Sequence, residues 1–413
     1  MTWLQSFLES TKELESPQRY FYWSILSSIS AAISKRVWIS RGGVYNLYPN
    51  IYVFLISKKS GLRKGVPINV AKKLANDLGK IRVIDGQNSV QGVIKELSRV
   101  KTVGNGWIIK NAEGFLITGE FASFLIQDGF GFSLTTLTDL YDAQYHEQGY
   151  TKRLVSEEEI ELKSPCITGL FASNETHFFD SVPRNAISGG FLARTFCIYE
   201  EKRNKINSLT GERDPIPERI DYPRMVDRLL YLSKLGGQIV VEKKALIAFD
   251  DWYYTFCAEE HEDYTGTSER LGDNIWKAAM LISLANSNDM IIYESDMLEA
   301  IEKSIQTFSD LKRLLLGGSG EAQNVKSITM RTALACLLEA EPIYEIERKL
   351  ILRKGAGVFG VYDLDESVEH MLQAGMITVS KRGQGIYYKL SDFMINRHLE
   401  LRRKEGNGGV TIN

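Results

Sequence analysis

Apolar positions change their spacing along the chain. In the first 40 residues Phe21, Ile25, Ile29 and Ile33 recur every four positions, which predicts one or two helices with a single buried face. From about 48 to 200 the pattern becomes short apolar runs, at 51–56, 81–84, 115–117, 167–171 and 196–199, separated by helical stretches. Runs this short and this continuously apolar predict strands buried on both faces, the kind that belong to a parallel sheet with helical crossovers. The helix expected after the first run carries Pro67 in its first turn, offers Val70, Ala71, Leu74, Ala75 and Leu78 to the sheet, and stops near Gly79.

A charged, proline-marked segment at 200–217 breaks this alternation and predicts an exposed connection. Helical spacing returns at 225–235, 244–260, 268–285 and 296–315, with one β-prone interruption at 238–241, as expected of a helical lid. The glycines of Gly317-Gly-Ser-Gly320 predict a flexible joint. Beyond it come helical stretches near 326–340, 344–353 and 363–374, a strand at 376–380, a Lys-Arg-Gly-Gln-Gly turn at 381–385 and a strand at 386–390, an order that resembles a winged helix. The expected divisions are an N-terminal helical segment at 1–45, an α/β core at 46–200, a helical lid at 201–316, a winged-helix domain at 321–405 and a disordered tail at 406–413.

Composition narrows the class of protein. The chain has 413 residues, 44% hydrophobic and 25% charged, which is ordinary for a globular protein of two or three domains. Lys and Arg number 50 against 52 Asp and Glu, so contact with nucleic acid has to come from local basic patches. The four cysteines, Cys166, Cys197, Cys257 and Cys336, lack metal-ligand spacing and sit among apolar residues, which predicts a reducing compartment and no structural zinc. No apolar run reaches membrane-spanning length, and the first fifteen residues carry acids, unlike a secretory leader. A cytoplasmic protein without a membrane partner is the expectation.

The stretch from Ile51 to Ile68 carries the first chemistry. An apolar strand runs into the small, basic loop Ser57-Lys-Lys-Ser-Gly-Leu-Arg-Lys-Gly65 and then a helix start, the layout of a phosphate-binding loop. Backbone N–H groups and the positive helix end hold a triphosphate, while a lysine neutralises its outer oxygens. Lys64 is that lysine, with Ser60, Gly61, Leu62, Arg63 and Gly65 around it. Against the common form G-x-x-x-x-G-K-[ST], Lys58 and Arg63 occupy the glycine places and Gly65 replaces the hydroxyl. A basic turn between a buried strand and a surface helix is the bland alternative.

Partners for such a loop follow in order. The strand 115–117 leads through Thr118-Gly119 to Glu120, where a catalytic base and metal neighbour stands; Gly119 occupies the place where an aspartate usually holds magnesium. Asn174 closes the strand at 167–171, placed either to orient the attacking water or to cap the next helix. Arg194 precedes the last strand at an edge of the fold, from which a guanidinium reaches into a neighbouring subunit or makes a structural ion pair. Arg270 opens a lid helix where a cation closes over the nucleotide, with Lys277 further along on a solvated face.

The series Ser57–Gly65, Gly119-Glu120, Ser173-Asn174, Gly189-Gly190 with Arg194, and Arg270 with Lys277 resembles phage and prophage P-loop ATPases, a family of unknown function linked to primases and helicases. It is more distantly similar to the AAA+ minichromosome-maintenance and viral superfamily-three helicases. The resemblance covers about 20–315 and implies an α/β P-loop (AAA+-like) parallel sheet with a helical lid, binding ATP and Mg2+. It implies Lys64 on the phosphates, Glu120 activating water beside the metal, Asn174 as sensor, Arg194 as a finger acting in trans and Arg270 as lid sensor. It also implies a homo-oligomer, a hexamer by analogy, working with a primase or other replication proteins in the bacterial cytoplasm or a phage-infected host.

Two basic features are candidates for single-stranded, sequence-independent DNA contact. The segment 150–163 has two β-prone arms around an acidic middle, with Lys152, Arg153 and Lys163 positioned as in the pore hairpins of related helicases; a hairpin covering the sheet edge gives the same pattern. The expected wing turn carries Lys381 and Arg382, while the helix before it holds Asp363, Asp365, Glu366 and Glu369, a poor surface for a major groove. The leading expectation is an ATP-dependent DNA helicase or translocase. Gly65 and Gly119 motivate the alternative, a hydrolysis-impaired replication accessory or helicase loader; a winged-helix regulator with an unrelated α/β domain is a third reading.

Overall fold

The computed structural model describes residues 2–58, 61–85, 89–103, 106–121, 130–143, 149–152, 160–181, 190–208, 210, 220–259, 263, 265–354, 360–383 and 385–406. They fall into two units, Met1–Leu314 and Leu315–Asn413.

The first unit is built on the five expected strands: β1 (Tyr52–Ser57), β2 (Val83–Asp85), β3 (Glu113–Thr118), β4 (Cys166–Asn174) and β5 (Thr195–Glu200). They pair in parallel in the order β5-β1-β4-β3-β2. Every residue of β1 is buried, because the strand is central and covered on both faces. Successive side chains leave a strand on opposite faces. Val53 and Leu55 join Leu170, Ala172, Phe196 and Ile198 in the core shared with the helices Gln18–Ile33 and Gly65–Leu78. Phe54 points the other way, into Phe121, Phe171 and Phe178 at ring-centroid distances of 4.6, 4.9 and 5.6 Å. Such ring pairs each add about 0.5–1.5 kcal/mol beyond the area they bury. Gly169 is required there: a Cβ on it would lie 2.5 Å from the Phe171 ring.

Three of the four serines of the helix Gln18–Ile33 find partners inside the core for their hydroxyls. Ser27 and Ser28 donate to the carbonyls of Trp23 and Ser24, and the Ser30 hydroxyl lies 2.6 Å from that of Thr168 on β4. The helical character expected for 1–45 ends in a short turn at Ser34–Arg36, and Val37–Arg41 then pairs antiparallel with Tyr45–Leu47 and parallel with Gly237–Gln238. Strands of three to five residues are too short for periodicity to reveal. A hairpin of Lys101–Val103 with Trp107–Ile109 went unread for the same reason. The two β-prone arms at 150–163 do pair, Tyr150–Lys152 with Ile160–Leu162. The helices Tyr222–Leu232, Lys243–Ala258 and Thr267–Asn286 follow the sheet. Among the described residues no helix is long and apolar enough to cross a membrane.

The second unit holds the helices Arg348–Lys354, Val361–Gln373 and Asp392–Gly406 with a three-stranded antiparallel sheet, in which Gly385–Leu390 lies between Glu345–Glu347 and Ile377–Arg382. Leu337, Ile351, Leu364, Met371, Ile377 and Tyr388 form its core. Gly317–Gly320, expected to be a flexible joint, fall inside the helix Glu294–Glu339. Residues 407–413 of the expected tail lie outside the described residues.

Candidate functional site

The strand order puts the switch point of the sheet between β1 and β4. The chain leaves β1 toward β2 on one side and leaves β4 toward β5 on the other, and crevices at such points, beyond the carboxyl ends of the strands, are where open α/β sheets take ligands. The loop after β1 opens there and leads into the helix Gly65–Leu78, with Lys64 at the helix start. Among the described residues no acceptor takes the N–H groups of Leu62, Arg63, Lys64 or Gly65, the orphan donors that make a helix start an anion site. Ser60 lies outside the described residues.

The loop is held from behind. Gly61 has φ +113° and Arg63 φ +54°, so the backbone passes twice through conformations that side chains disfavour. Leu62 is anchored in the core. Arg63 Nε donates to Glu15 Oε2 at 2.7 Å, its carbonyl accepts from Ser16 Oγ at 2.9 Å, and Arg203 reaches the same Glu15 at 3.2 Å. Arg63 therefore shapes the loop through Glu15. Lys64 Nζ donates to Ser57 Oγ at the end of β1. Burial lowers the Lys64 pKa, and the nearby Glu120 carboxylate works against that shift.

Glu120 follows β3, with its N–H donating to Thr118 Oγ1 at 3.3 Å and its carboxylate 3.8 Å from His177 Nδ1. The side chain is 65% exposed. Asn174 ends β4, and its Oδ1 accepts the His177 N–H at 2.8 Å, so the amide oxygen caps the helix Glu175–Ser181. Lys64, Glu120 and Asn174, read separately from the sequence, thus lie at the carboxyl ends of three strands that are neighbours in the sheet.

Arg194 and Arg270 lie elsewhere. Arg194 directly precedes β5, whose first residue, Thr195, pairs with Tyr52 at the start of β1. The length of β1 separates that end from the phosphate loop, about 17 Å at 3.3 Å per residue. Arg194 is only 8% exposed; Nε and Nη2 donate to Asp142 Oδ2 and Nη1 to the Gly190 carbonyl. Arg270 Nη1 is 3.6 Å from the other Asp142 oxygen. The finger expected of Arg194 needs a guanidinium presented to another copy, and this one is committed inside its own chain. The lid-sensor role expected of Arg270 fails on position, because its partner Asp142 sits at the opposite end of the sheet. Lys277, expected on a solvated face, is buried: Nζ donates to Asn50 Oδ1 at 2.9 Å and lies 3.8 Å from the centroid of the Tyr141 ring.

Burial lowers the Lys277 pKa to about 8, from an ordinary 10.5. Between these values the unfolded chain keeps a proton that the folded chain has released. Its penalty is full below pH 8, and stability contributed by this residue rises with pH through the window above. The buried thiols of Cys166 and Cys197, raised to about 11 and about 12, act in the opposite sense above pH 9, so the test is a difference. Relative to Lys277→Met, the parent is expected to gain about 3 kcal/mol between pH 7 and 10. Denaturant midpoints of both proteins across that range measure it, and a flat difference rejects the assignment.

For the expected nucleic-acid residues, Lys163 is exposed and its carbonyl accepts the Ala112 N–H before β3 begins; the Lys152 side chain and Arg153 lie outside the described residues. In the second unit Lys381 is exposed, whereas Arg382 Nη1 and Nη2 each lie 2.9 Å from Glu345 oxygens. Sequence reading missed Glu15, Ser16, Ser57 and His177. Ser57 stood inside the quoted loop and was the one legible signal; Glu15 and Ser16 reach the loop across 48 and 47 positions, which no local pattern reveals.

No family model matches the chain, and no curated protein matches it. Among solved structures it is similar to the ADP form of the ORC2 protein of Aeropyrum pernix, at 13% identity over 85% of this chain and 86% of that one, with a TM-score of 0.23. The ADPNP–ADP complexes of the same protein give 13% identity, 87% and 90% coverage and a TM-score of 0.22. Likenesses at these scores carry no weight for fold or function, and the parallel sheet and its loops stand on their own geometry.

Proposed function

We propose that this protein is a DNA-coupled ATPase that binds a nucleoside triphosphate over residues 57–65. The observation that carries this reading is the loop beyond the central strand, where unclaimed N–H groups meet a lysine at the start of a helix, with a carboxylate arriving from the next loop but one. In the proposed reaction Glu120 accepts a proton from water as its oxygen attacks the terminal phosphorus. The bond from that phosphorus to the bridging oxygen breaks, ADP and inorganic phosphate leave, and Lys64 with the loop N–H groups stabilises the negative oxygens.

The residues here do not fit a protein-held magnesium ion. Glu120 is the one carboxylate among the proposed site residues, Gly65 supplies no hydroxyl, and no cluster of three His, Cys, Asp or Glu side chains occurs among the described residues. Both glycine positions have room, since a Cβ on Gly65 or Gly119 meets nothing within 4 Å. The double variant Gly65→Thr/Gly119→Asp is therefore expected to raise magnesium-dependent phosphate release by about tenfold. An unchanged rate would show that metal ligation does not limit turnover.

The reading is tested by ATP binding together with phosphate release, with and without single-stranded DNA. The same missing ligands favour a second reading, a nucleotide-binding replication accessory or helicase loader with impaired hydrolysis; ATP binding without measurable release selects it. Helicase action by a homo-oligomeric ring, hexameric by the resemblance, and a primase partner belong to the first reading, with Lys163 and Lys381 as strand contacts. A trans-acting cation in that ring has to be a residue other than Arg194. Mass in solution with ATP and DNA tests the assembly.

A further inference from the structure

A second basic stretch of the first unit lies apart from the phosphate loop. Residues 72–110 carry eight Lys and Arg against three Asp and Glu, in a chain of net charge −2. The fold brings four of these cations to a cleft of about 620 Å3 beside β2, the strand at the outer edge of the sheet. Lys72, Lys95, Arg99 and Lys101 line it, with Asp85 and Glu96. The pairs Lys72–Asp85 and Lys101–Glu96 hold two of the cations in the wall. The wall is preformed: the buried Arg82 guanidinium donates to the carbonyls of Leu97 and Arg99 at 2.8 and 2.6 Å, fixing the end of the helix Val90–Ser98.

The hairpin beside the cleft adds an aromatic ring. Lys101 pairs with Ile109 and Val103 with Trp107, so Lys101 and Trp107 lie on one face of the hairpin. Trp107 is 48% exposed, with Lys80 Nζ 4.5 Å from its ring centroid. Cations that follow phosphates, next to a half-exposed ring on which a base stacks, are the chemistry that grips a single nucleic-acid strand; stacked bases inside a duplex offer no such face.

We propose that this cleft binds the backbone of single-stranded nucleic acid without regard to sequence, with Lys95 and Arg99 on phosphates and Trp107 under a base. The proposal rests on the nucleic-acid partner of the ATPase reading and is independent of hydrolysis. The test is fluorescence anisotropy of a labelled oligothymidine of about 20 nucleotides with the full chain, without nucleotide. Lys95→Glu/Arg99→Glu is expected to bind about tenfold or more weakly, with the log–log salt slope reduced by about 1.4. Trp107→Ala is expected to lose about tenfold. Lys234→Glu/Lys244→Glu, an equal charge change at exposed sites elsewhere, is expected to stay within about threefold.

Unfolding midpoints and ATP binding, measured on each variant, separate local loss from misfolding and from failure of the nucleotide reading. Parent-like binding by the cleft variants, or an equal loss in the elsewhere-charged control, overturns the proposal. So does displacement of the strand by ATP from Lys64→Ala protein, which would make the cleft a small-nucleotide site. A parent chain that binds ATP but no strand overturns it while leaving the phosphate loop intact.

Discussion

Lys64→Ala is expected to weaken ATP binding by about 100-fold and to abolish DNA-stimulated phosphate release, while the chain stays folded. A charge-assisted hydrogen bond to a phosphate oxygen contributes about 1.5–3 kcal/mol, and 2.7 kcal/mol corresponds to about 100-fold in Kd. Lys64 is suited to that contact because its ammonium is half-buried at a helix start, its pKa lowered by burial, with Ser57 Oγ as its hydrogen-bond partner. Removing one side chain from this loop leaves the core residues Leu62, Ile68 and Val70 in place, so the unfolding midpoint should hold. Calorimetric titration of ATP into parent and variant reads the effect. Equal affinities would mean that the loop is the basic turn it superficially resembles, and the ATPase proposal would go with it.

Arg194→Ala is expected to destabilise the protein by about 3–5 kcal/mol, the usual consequence of leaving a buried charge without its partner. The side chains of Asp142 and Arg194 are 11% and 10% exposed, and that of Arg270, 3.6 Å from Asp142 and 38% exposed, is too far and too solvated to replace the lost bonds in full. Combining Arg194→Ala with Asp142→Asn should return part of the stability, because no uncompensated carboxylate is left behind. Denaturant unfolding of the two single variants and the double measures this coupling. A finger acting in trans predicts a different pattern: unchanged unfolding, and hydrolysis recovered on mixing Arg194→Ala with Lys64→Ala copies.

These two residues also show how far sequence reading carried. The central strands were legible because a strand covered on both faces is mostly apolar, as Tyr52–Ser57 and residues 115–117 are. The loop after the first run, its lysine and the acid at Glu120 were legible because each borders such a run. Asn174 was legible as a position but open in role until its oxygen was found on the His177 N–H. Chain order could not say that Arg194 and Arg270 converge on Asp142, or that Lys277 meets Asn50, since these pairs span 52, 128 and 227 positions.

Local patterning therefore marked the main strands and helices and the loop at which a polyphosphate is proposed to bind, because burial on two faces and the ends of strands leave marks in adjacent residues. Strand order, the clamp of Glu15 on the loop and the fate of each arginine depended on contacts between distant segments, which exist only once the sheet has assembled. The basic stretch at 72–110 belongs to both levels: its charge is written in neighbouring residues, and the cleft that concentrates it arises where the edge strand, two helices and a hairpin meet.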